Sequence, residues 1–499
     1  MTRQQRLVLA VSILASFVAF LDGAIVNVAL PAIQLELGGG LVAQQWVVDA
    51  YLLTLGSLIL IAGSLSDLMG RKRVLSIGLW GFAAASVLCA LAPTATLLII
   101  FRALQGMAGA LLVPSSLALI ISTFSGSAQG KAIGTWTAWT GISFILGPLV
   151  GGILVDQGSW RWIFAINVLP IAVTLYLLRR VEAPRPERSV KAADWVGSLL
   201  CATGLGAAVY ALIEQPRFGW SDPLIFVPLV LGVSLFSIFL LYERRSRKPM
   251  LPLSLFKNHN FSVGNVSTFA VYAGLTASMF LLVVFLQQVA GYSALAAGLA
   301  GVPVTLILFA LSPKMGALAG KYGPRLFMGV GPIISAGGWL MMAGLGSSVD
   351  YWSEVFPAIV VFGIGLAVTV APLTAAILGD VDPEQAGIAS GVNNAVARVA
   401  GLIAVAAVGA VVATQFHSVL DSRSLPGVSP DAIAKAKRVS LETTPPRPYK
   451  DDAAFHRALE DASVSAFHAG IYAVVGLMAA GGVVSLIGIR NPHKEPKTA

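Results

Sequence analysis

The sequence predicts an all-α integral membrane protein with about fourteen spanning helices. Only 11% of the 499 residues are charged and 56% are hydrophobic, whereas soluble globular proteins carry about 25% charged residues. Apolar stretches of about 20 residues recur from one end of the chain to the other, and each is long enough to cross a hydrocarbon core roughly 30 Å thick. Helices satisfy their own backbone hydrogen bonds, which lipid requires of a spanning segment.

The predicted spans leave no long stretch for a soluble domain. They cover residues 7–33, 44–66, 74–92, 96–120, 131–154, 162–179, 194–214, 223–243, 262–289, 294–316, 326–345, 354–378, 386–413 and 464–489. The stretch from Leu7 is too long for the core of a signal peptide, so we interpret it as the first span.

Lysine and arginine concentrate in alternate loops, and this pattern predicts the orientation. Loops that stay in the cytoplasm carry an excess of both residues. With the N-terminus inside, the short outside loops contain only Arg161 and Arg217. An even number of spans then places both termini in the cytoplasm of a multi-pass protein of the cell membrane. The long outside loop, residues 414–463, fits the rule because long loops cross largely regardless of charge. Within it, Asp431–Arg438 and Asp451–Asp461 are candidates for short amphipathic helices. A solvated cap is the alternative interpretation of this loop, and we favour it.

Several other protein classes are excluded. The net charge of +9 is spread among short loops, which argues against a nucleic-acid partner. Cys89 and Cys201 both fall in predicted spans, so we expect no disulfide, and the histidines lack metal-ligand spacing. The run Gly126–Ala132 is the nearest approach to a phosphate-binding loop, but its spacing is wrong. We therefore expect no metal, no cofactor and no ATP hydrolysis, with an ion gradient as the energy source.

A short motif recurs in the two halves of the chain. The loop after the second span reads Gly-Ser-Leu-Ser-Asp-Leu-Met-Gly from Gly63, and the loop after the tenth reads Gly-Ala-Leu-Ala-Gly-Lys-Tyr-Gly from Gly316. Each copy has a base two residues after its last glycine. Repeated halves of this kind mark secondary transporters.

The repeat predicts a division of the chain into three parts. Residues 1–180 form an N-terminal six-helix bundle, and residues 181–258 hold two additional helices with their linkers. Residues 259–499 form a C-terminal six-helix bundle that includes the long outside loop.

Four signatures resemble the fourteen-span drug:proton antiporters of the major facilitator superfamily. They are Leu21–Pro31 in span one, the loop Gly63–Arg73, Arg102-x-x-Gln105-Gly106 in span four, and Gly141-x5-Gly147-Pro148-x-x-Gly151-Gly152 in span five. The resemblance implies the major facilitator fold, with two six-helix bundles and two extra central helices. It also implies proton-coupled export of small amphipathic compounds such as drugs, dyes or antibiotics. The sequence departs from the family pattern at Gly23, where threonine is usual, and at Gly320, where the repeat lacks its acid.

Three charged residues within spans are candidates for proton coupling, because charge is costly inside a membrane. At about 1.5 Å per residue, Asp22, Asp49 and Arg102 all lie roughly 8–9 Å from the outer face. We predict Asp22 as the principal protonation site, Asp49 as a second acid and Arg102 as the partner that tunes them. The alternative is a static Asp22–Arg102 bridge that only holds helices together.

The first copy of the repeated motif resembles a cytoplasmic gate, formed by Gly63, Asp67, Gly70, Arg71 and Lys72. In the family its charges pair with one another and with a neighbouring helix end, which stabilises the outward-open state. An ordinary positive-inside anchor is the alternative, and it accounts for the bases but not for Asp67 or the glycines.

Small and polar residues in the spans are further candidates. Gly141, Gly147, Gly151 and Gly152 allow close helix approach, and Pro148 can kink span five. Polar residues that are candidates for lining a cavity are Asn27, Gln105, Gln287, Gln288, Asn393 and Asn394. Hydrogen bonding between helices is the alternative role for these side chains.

The leading functional hypothesis is therefore a proton-coupled exporter of amphipathic compounds. We expect a monomer that handles a small-molecule substrate and protons within the lipid bilayer. A dedicated exporter of one endogenous metabolite, lipid or siderophore would share every residue named above. A membrane enzyme would need clustered catalytic groups, and the sequence contains none; a channel would lack proton-coupled counterflow.

Overall fold

A computed structural model of the chain describes residues 1–124, 126–182, 194–246, 249, 251–379, 381 and 386–491, apart from some side chains within the helices. Every regular element in these ranges is helical. In order, the helices are α1 (Arg3–Leu37), α2 (Gly40–Met69), α3 (Arg71–Ala90), α4 (Ala95–Thr123), α5 (Gly126–Gly141), α6 (Ser143–Gln157), α7 (Trp162–Ala165), α8 (Val168–Arg179), α9 (Trp195–Phe218), α10 (Pro223–Arg245), α11 (His259–Gln288), α12 (Ala294–Ala300), α13 (Val302–Tyr322), α14 (Pro324–Met341), α15 (Phe356–Gly379), α16 (Ala386–Ser422), α17 (Pro430–Arg438) and α18 (Ala453–Gly488). Short 3₁₀ segments lie at Leu253–Lys257 and Met342–Gly344, and a π-helical turn lies at Tyr351–Val355.

Thirteen helical segments in the described part of the chain are long and apolar enough to cross a membrane. They confirm an all-α, multi-pass membrane protein. The predicted span 44–66 lies within α2, a helix of 30 residues that is not among the thirteen. Several of its side chains fall outside the described residues, so the count of fourteen stays a prediction.

Helix α1 shows how the sequence sets the ends of a span. The Thr2 hydroxyl accepts a hydrogen bond from the Gln5 backbone N–H, and the Gln5 side chain accepts one from the Thr2 N–H. This capping box satisfies two backbone donors at the start of the helix. The helix ends at Gly38, whose φ of 74° lies in the region that favours glycine.

Several predicted spans are interrupted or longer than expected. The span 131–154 is divided between α5 and α6 at Ile142. Pro148 lies just beyond, and it lacks the N–H that would bond the residue four positions earlier. The last helix begins at Ala453, whereas the predicted span began at residue 464. The candidate helix Asp431–Arg438 in the long loop is confirmed, since α17 covers it. The candidate Asp451–Asp461 is not a separate short helix, because most of it forms the start of α18.

The chain forms two compact units. The first comprises Met1–Leu251, Phe280–Leu299 and Val405–Phe467, and the second comprises Pro252–Met279, Ala300–Ala404 and His468–Ala499. Helices α11, α16 and α18 each contribute one segment to each unit. This division by packing differs from the three predicted parts, whose boundaries stay a prediction.

Each unit has its own apolar interior. In the first, side chains of α1, α3, α4 and α8 form a cluster that includes the fully buried Phe82 and Leu112. In the second, Trp339 of α14 packs edge-on against Phe362 of α15, with ring centroids 6.0 Å apart. Buried polar side chains within the first unit therefore lie in a closely packed apolar setting.

Candidate functional site

A buried ion pair joins α1 and α4 in the first unit. The Nη1 atom of Arg102 lies 2.5 Å from Oδ2 of Asp22, and both side chains are almost completely inaccessible to solvent. The sequence predicted that these residues share one depth, and the structure places them in contact. An ion pair shielded from water in this way is costly to break by removing one partner, because the other charge is left uncompensated.

Three more buried polar side chains complete this cluster. Gln105 and Asn167 both donate to Oδ1 of Asp22, at 2.8 and 2.9 Å. The same two amides donate to the Ser86 hydroxyl, at 2.9 and 3.3 Å. Arg102 also donates to Oε1 of Gln105 at 2.6 Å. The Asp22 carboxylate thus accepts hydrogen bonds from Arg102 and Gln105, both on α4, and from Asn167 at the start of α8.

The rest of the Arg102 side chain is held by α2 and by an aromatic ring. Its Nε donates to the Val47 carbonyl at 3.0 Å, and its guanidinium carbon lies 4.3 Å from the centre of the Tyr51 ring. A planar guanidinium makes both contacts at once, which a lysine ammonium does not. Arg102 therefore links Asp22 on α1 with the backbone of α2.

Asp49 is also fully buried, but it lies apart from this cluster. Neither of its carboxylate oxygens has a hydrogen-bond partner among the residues that the structure describes. Asp49 follows Trp46 by three residues and precedes Leu53 by four, so all three share one side of α2. Trp46 donates to Glu214 of α9 at 3.3 Å, and Leu53 packs near Gly206 of the same helix.

The cluster and Asp49 therefore present two carboxyl groups in different chemical settings. Asp22 is matched by a full positive charge and two amide donors, which suits an ionised carboxylate. Asp49 has no such donors in the described part of the chain, and burying an ionised carboxylate without a partner is far costlier than burying the neutral acid. In one conformation, therefore, Asp49 can carry a proton while Asp22 forms an ion pair with Arg102.

The sequence interpretation missed Ser86 and Asn167. Their predicted spans place both roughly 8–9 Å from the outer face, at the depth of Asp22, by the same count of about 1.5 Å per residue. A search for uncharged polar residues at that depth would have found them.

The glycines of the fourth signature lie where α6 meets other helices of the first unit. A Cβ atom on Gly147 would lie 2.7 Å from the Ala24 Cβ, and one on Gly151 would lie 2.5 Å from Cγ1 of Ile25. A Cβ on Gly152 would lie 2.3 Å from the Leu295 Cα. These positions permit the close approach that the sequence predicted. Gly141 is the last residue of α5.

Asp156, near the end of α6, stabilises the contact between α6 and the start of α12. Its two carboxylate oxygens accept hydrogen bonds from the backbone N–H groups of Ala294 and Leu295, at 3.0 and 2.9 Å. These groups open α12 and have no acceptor within their own helix. Asp156 was not singled out in the sequence, because near the predicted end of a span its charge is ordinary.

The motif predicted to act as a gate is only partly described. Gly70, with φ of 89°, ends α2 and begins α3, and Gly323 of the second copy, with φ of 91°, joins α13 to α14 in the same way. The Lys72 ammonium donates to the Val181 carbonyl at 2.6 Å, just beyond the end of α8. The surroundings of Gly63 and the side chain of Asp67 lie outside the described residues. The gate therefore stays a prediction.

Most of the residues predicted to line a cavity form side-chain hydrogen bonds with other helices. Gln287 donates to the Val28 carbonyl at 3.0 Å, Gln288 donates to Oε1 of Gln34 at 2.8 Å, and Gln105 belongs to the Asp22 cluster. Asn27 is partly buried. In the second unit, Asn393 donates to Asn265 and Thr268, whereas Asn394 is exposed and donates to the Ser390 carbonyl of its own helix.

The long loop between α16 and α18 packs on the ends of α1 and α2 in the first unit. Gln34 of α1 donates to Oε2 of Glu442 at 3.4 Å, and the Gly40 backbone lies so close to Arg438 that a Cβ would meet its carbonyl oxygen. Gln34 also accepts hydrogen bonds from Gln44 and Gln288. Burial raises the pKa of the Glu442 carboxyl above its ordinary value, although the Gln34 hydrogen bond acts in the opposite direction.

The chain is similar to a large group of membrane transporters. The sequence profile of the Major Facilitator Superfamily matches residues 12–405. The multidrug resistance protein Stp of Mycobacterium tuberculosis is 35% identical over 442 residues, which are 87% of this chain and 81% of that protein. The tetracenomycin C resistance and export protein of Streptomyces glaucescens is 32% identical over 446 residues, covering 88% of this chain and 82% of that protein. The puromycin resistance protein pur8 of Streptomyces alboniger is 35% identical over 405 residues, 80% of each.

Solved structures support the same fold. A bacterial homolog of the human lysosomal transporter Spinster, in an inward-facing and unoccupied conformation, superposes with a TM-score of 0.70 and 15% identity, covering 99% of this chain and 100% of that one. A D-xylose-proton symporter superposes with a TM-score of 0.64 and 13% identity, covering 97% of this chain and 98% of that one. At such low identity these likenesses bear on the fold alone.

Proposed function

Because the chain belongs to the major facilitator superfamily, we propose that this multi-pass membrane transporter exports small amphipathic compounds, such as drugs, dyes or antibiotics, in exchange for protons. The resistance proteins to which it is similar support the export of toxic compounds. The protein works as a monomer in the cell membrane with both termini in the cytoplasm. It needs no cofactor, because the proton gradient supplies the energy.

The buried ion pair of Asp22 and Arg102 is the observation that carries the proton-coupling part of this proposal. Asp49 adds a second buried carboxyl group in the same unit. A proton on Asp22 removes the negative charge that holds the Arg102 guanidinium. Arg102 then retains the Val47 carbonyl and the Tyr51 ring as neighbours but loses its counter-charge. Protonation of one carboxyl therefore changes the contacts of three helices at once, as a coupled transporter requires.

Asp49 is the second proton-binding site in the same transport cycle. It lies buried without a hydrogen-bond donor among the described residues, while Asp22 is paired. We assign the proton to Asp49 in this conformation and the negative charge to Asp22. When Asp22 receives its proton, Arg102 is released and the conformation changes. Transport thus alternates between a paired and an unpaired Arg102.

The test is uptake into proteoliposomes driven by an imposed pH gradient, with a panel of fluorescent amphipathic compounds. We expect the wild-type protein to accumulate at least one compound only while the gradient lasts, and to stop when nigericin removes it. Asp22→Asn protein, reconstituted to the same density, is expected to lose gradient-driven uptake. Unchanged uptake by Asp22→Asn protein, or wild-type uptake that is indifferent to nigericin, would contradict the proposal.

A further inference from the structure

The Asn167 side chain is fully buried beside Asp22, yet only one end of its amide has partners. Its Nδ2 donates to Oδ1 of Asp22 at 2.9 Å and to the Ser86 hydroxyl at 3.3 Å. Its Oδ1 accepts no hydrogen bond from any residue that the structure describes. A buried acceptor without a donor destabilises a structure, so an orphaned atom of this kind needs an explanation.

The described neighbours of the Asp22 carboxylate are all hydrogen-bond donors. Its oxygens accept from Nη1 of Arg102, Nε2 of Gln105 and Nδ2 of Asn167. This arrangement suits an ionised carboxylate, which only accepts hydrogen bonds, whereas a protonated carboxyl group must donate its O–H. None of the three neighbouring groups is an acceptor. One of them therefore has to reverse if the neutral acid is to be hydrogen-bonded in the same place.

The two amides differ in their freedom to reverse. Oε1 of Gln105 accepts a hydrogen bond from Arg102 at 2.6 Å, while the other end of this amide donates to Asp22. Turning the Gln105 amide over would set its NH₂ group against the guanidinium, donor against donor. The far end of the Asn167 amide has no such restraint among the described residues. Asn167 is therefore the neighbour that can change from donor to acceptor.

The position of Asn167 in the chain also commits its side chain to Asp22. Helix α7 ends at Ala165 and α8 begins at Val168, so Asn167 immediately precedes the first residue of α8. Asparagine is favoured there because its side chain can cap the helix. The Asn167 side chain makes no such cap and is directed to Asp22 instead. The cost of the missing cap points to a role for the amide outside its own helix.

Few groups close to Asp22 can carry charge or release a proton. Helix α4 contributes Arg102, and α2 contributes Tyr51, whose ring packs against the Arg102 guanidinium. Helix α3 contributes Cys89, whose Sγ lies 3.7 Å from Oε1 of Gln105. Helices α5 to α8 also pack on α1, and their described side chains form no ion pair with Asp22. Arg102 is thus the charged group that the Asp22 carboxyl contacts.

We propose that Asn167 is a positioning residue for proton binding. It donates to the ionised Asp22 carboxylate and, with its amide turned over, accepts the O–H of the protonated acid. The reversed amide brings its oxygen to the present place of Nδ2, 2.9 Å from Oδ1 of Asp22. The step transfers one proton from a hydronium ion to Asp22 and releases water, and Asn167 neither gains nor loses a proton.

This inference rests on the proposed function, because it takes Asp22 to be a proton-binding site. It adds a residue that serves both protonation states of that site. The Ser86 hydroxyl, which accepts from Nδ2 of Asn167 in the present orientation, can donate to the amide oxygen after the reversal. The proton on Asp22 therefore changes the direction of two hydrogen bonds.

The test is infrared difference spectroscopy of the purified full chain between high and low pH. The carbonyl band of a protonated carboxyl group lies at lower frequency when its O–H is hydrogen-bonded. We expect wild-type protein to gain such a band on acidification, and Asp22→Asn protein to lack it. The band should move to higher frequency in Asn167→Leu protein, because the O–H loses its acceptor. Asn167→Ser should reverse part of this move, since a hydroxyl both donates and accepts.

Thr174→Val is the matched control, because it removes another buried polar group from α8. The Thr174 hydroxyl donates to the Pro170 carbonyl at 2.6 Å and belongs to no contact with Asp22 in the described part of the chain. The band should stay in place in this variant. An unmoved band in Asn167→Leu protein, or an equal movement in Thr174→Val protein, would overturn the proposal.

Wild-type protein supplies a second test without any substitution. With isotope-labelled asparagine, one side-chain carbonyl signal should change with the same pH midpoint as the Asp22 band, because the amide oxygen gains a donor. The absence of any asparagine signal that follows the Asp22 band would overturn the proposal, even if Asn167→Leu protein does not fold.

Transport gives a third readout. Gradient-driven uptake by Asn167→Leu protein should be about tenfold slower, the effect of one lost hydrogen bond, with an unchanged half-saturating concentration of the compound. A changed half-saturating concentration at an unchanged maximal rate would place Asn167 in substrate binding and overturn the inference.

The spectra also separate this inference from the proposed function. An Asp22 band that is indifferent to Asn167 would overturn the inference alone and leave Asp22 as the proton site. The absence of any Asp22 band across the pH range in which uptake is measured would contradict Asp22 as the proton site, and the inference with it.

Discussion

Asp22 and Asp49 are both fully buried carboxyl groups of the first unit, yet their surroundings differ. Asp22 accepts hydrogen bonds from Arg102 and two amides, whereas Asp49 has no donor among the described residues. A hydrogen-bonded ion pair and a lone buried carboxyl respond differently to the loss of charge. Their contributions to stability and to transport can therefore be separated by substitution.

The first prediction concerns the Asp22–Arg102 pair. Asp22→Asn or Arg102→Gln alone leaves one charge buried without its partner, which we expect to lower the free energy of unfolding by about 3–5 kcal/mol. The double substitution removes both charges and should recover most of that loss. Denaturant unfolding of the purified protein checks the cycle. Losses that simply add in the double variant would show that the two charges do not interact.

The second prediction concerns Asp49. If it carries a proton in this conformation, Asp49→Asn replaces one neutral group with another of similar shape, and we expect a change in the free energy of unfolding below about 1 kcal/mol. Gradient-driven uptake should nevertheless be lost, because an amide cannot carry the proton. A large loss of stability with normal uptake would assign Asp49 a structural role instead.

At the scale of helices, close packing in the first unit depends on glycines of α6. The Gly152 backbone faces the Leu295 backbone, where Asp156 also accepts the first N–H groups of α12. Because the neighbour is main chain, an added methyl group cannot be accommodated by a side-chain rotation. This contact is therefore more sensitive to substitution than most helix positions.

The third prediction compares two glycines of the same predicted span. Gly152→Ala should destabilise the protein by about 1–3 kcal/mol, the usual cost of overpacking. Gly134→Ala is the control, because a Cβ there would meet no atom within 4 Å. Since alanine favours helices over glycine by up to about 1 kcal/mol, Gly134→Ala should be neutral or stabilising. Thermal unfolding measures both, and equal effects would contradict the packing argument.

The fourth prediction concerns the long loop between α16 and α18, which packs on Gln34 through Glu442. Burial raises the pKa of Glu442 when the loop is docked, so the docked loop binds a proton more tightly than a released loop does. Docking is therefore favoured most below the ordinary pKa of glutamate, about 4.3. It weakens as the pH rises from there through the raised pKa of the docked state.

Cysteine labelling checks this pH dependence. Ser440, a buried residue of the docked loop, should be labelled faster at higher pH when replaced by cysteine, relative to the exposed Ser424 of the same loop replaced in the same way. Adding Glu442→Gln should remove the dependence, because the amide cannot ionise. A labelling ratio that is constant with pH in the presence of Glu442 would contradict the prediction.

At the scale of the whole molecule, hydropathy predicts most of the architecture, since the apolar spans reappear as helices. The contact between Asp22 and Arg102 was also predictable, because charge inside a span is rare and depth can be counted along a helix. Depth alone does not give the direction of a side chain. Asp49 lies on the side of α2 that faces α9 rather than beside Arg102, and Asn167 is brought to Asp22 from 145 residues away. Both depend on helix rotation, which is set by packing over the entire unit.

The long loop marks another limit of sequence reasoning. Its composition predicted the helix α17 but not its docking on the ends of α1 and α2. That docking depends on the fit between the Gly40 backbone and the carbonyl of Arg438, a match of shape that no periodicity records.

Proton-coupled export requires that substrate and protons move in opposite directions through the same protein. The most direct measurement traps a pH-sensitive dye inside proteoliposomes without any initial pH gradient and adds an exported compound to the outside. We expect inward movement of the compound to drive protons out, so the interior becomes alkaline with wild-type protein and stays unchanged with Asp22→Asn protein. Uptake of the compound by wild-type protein with no change in internal pH would contradict it.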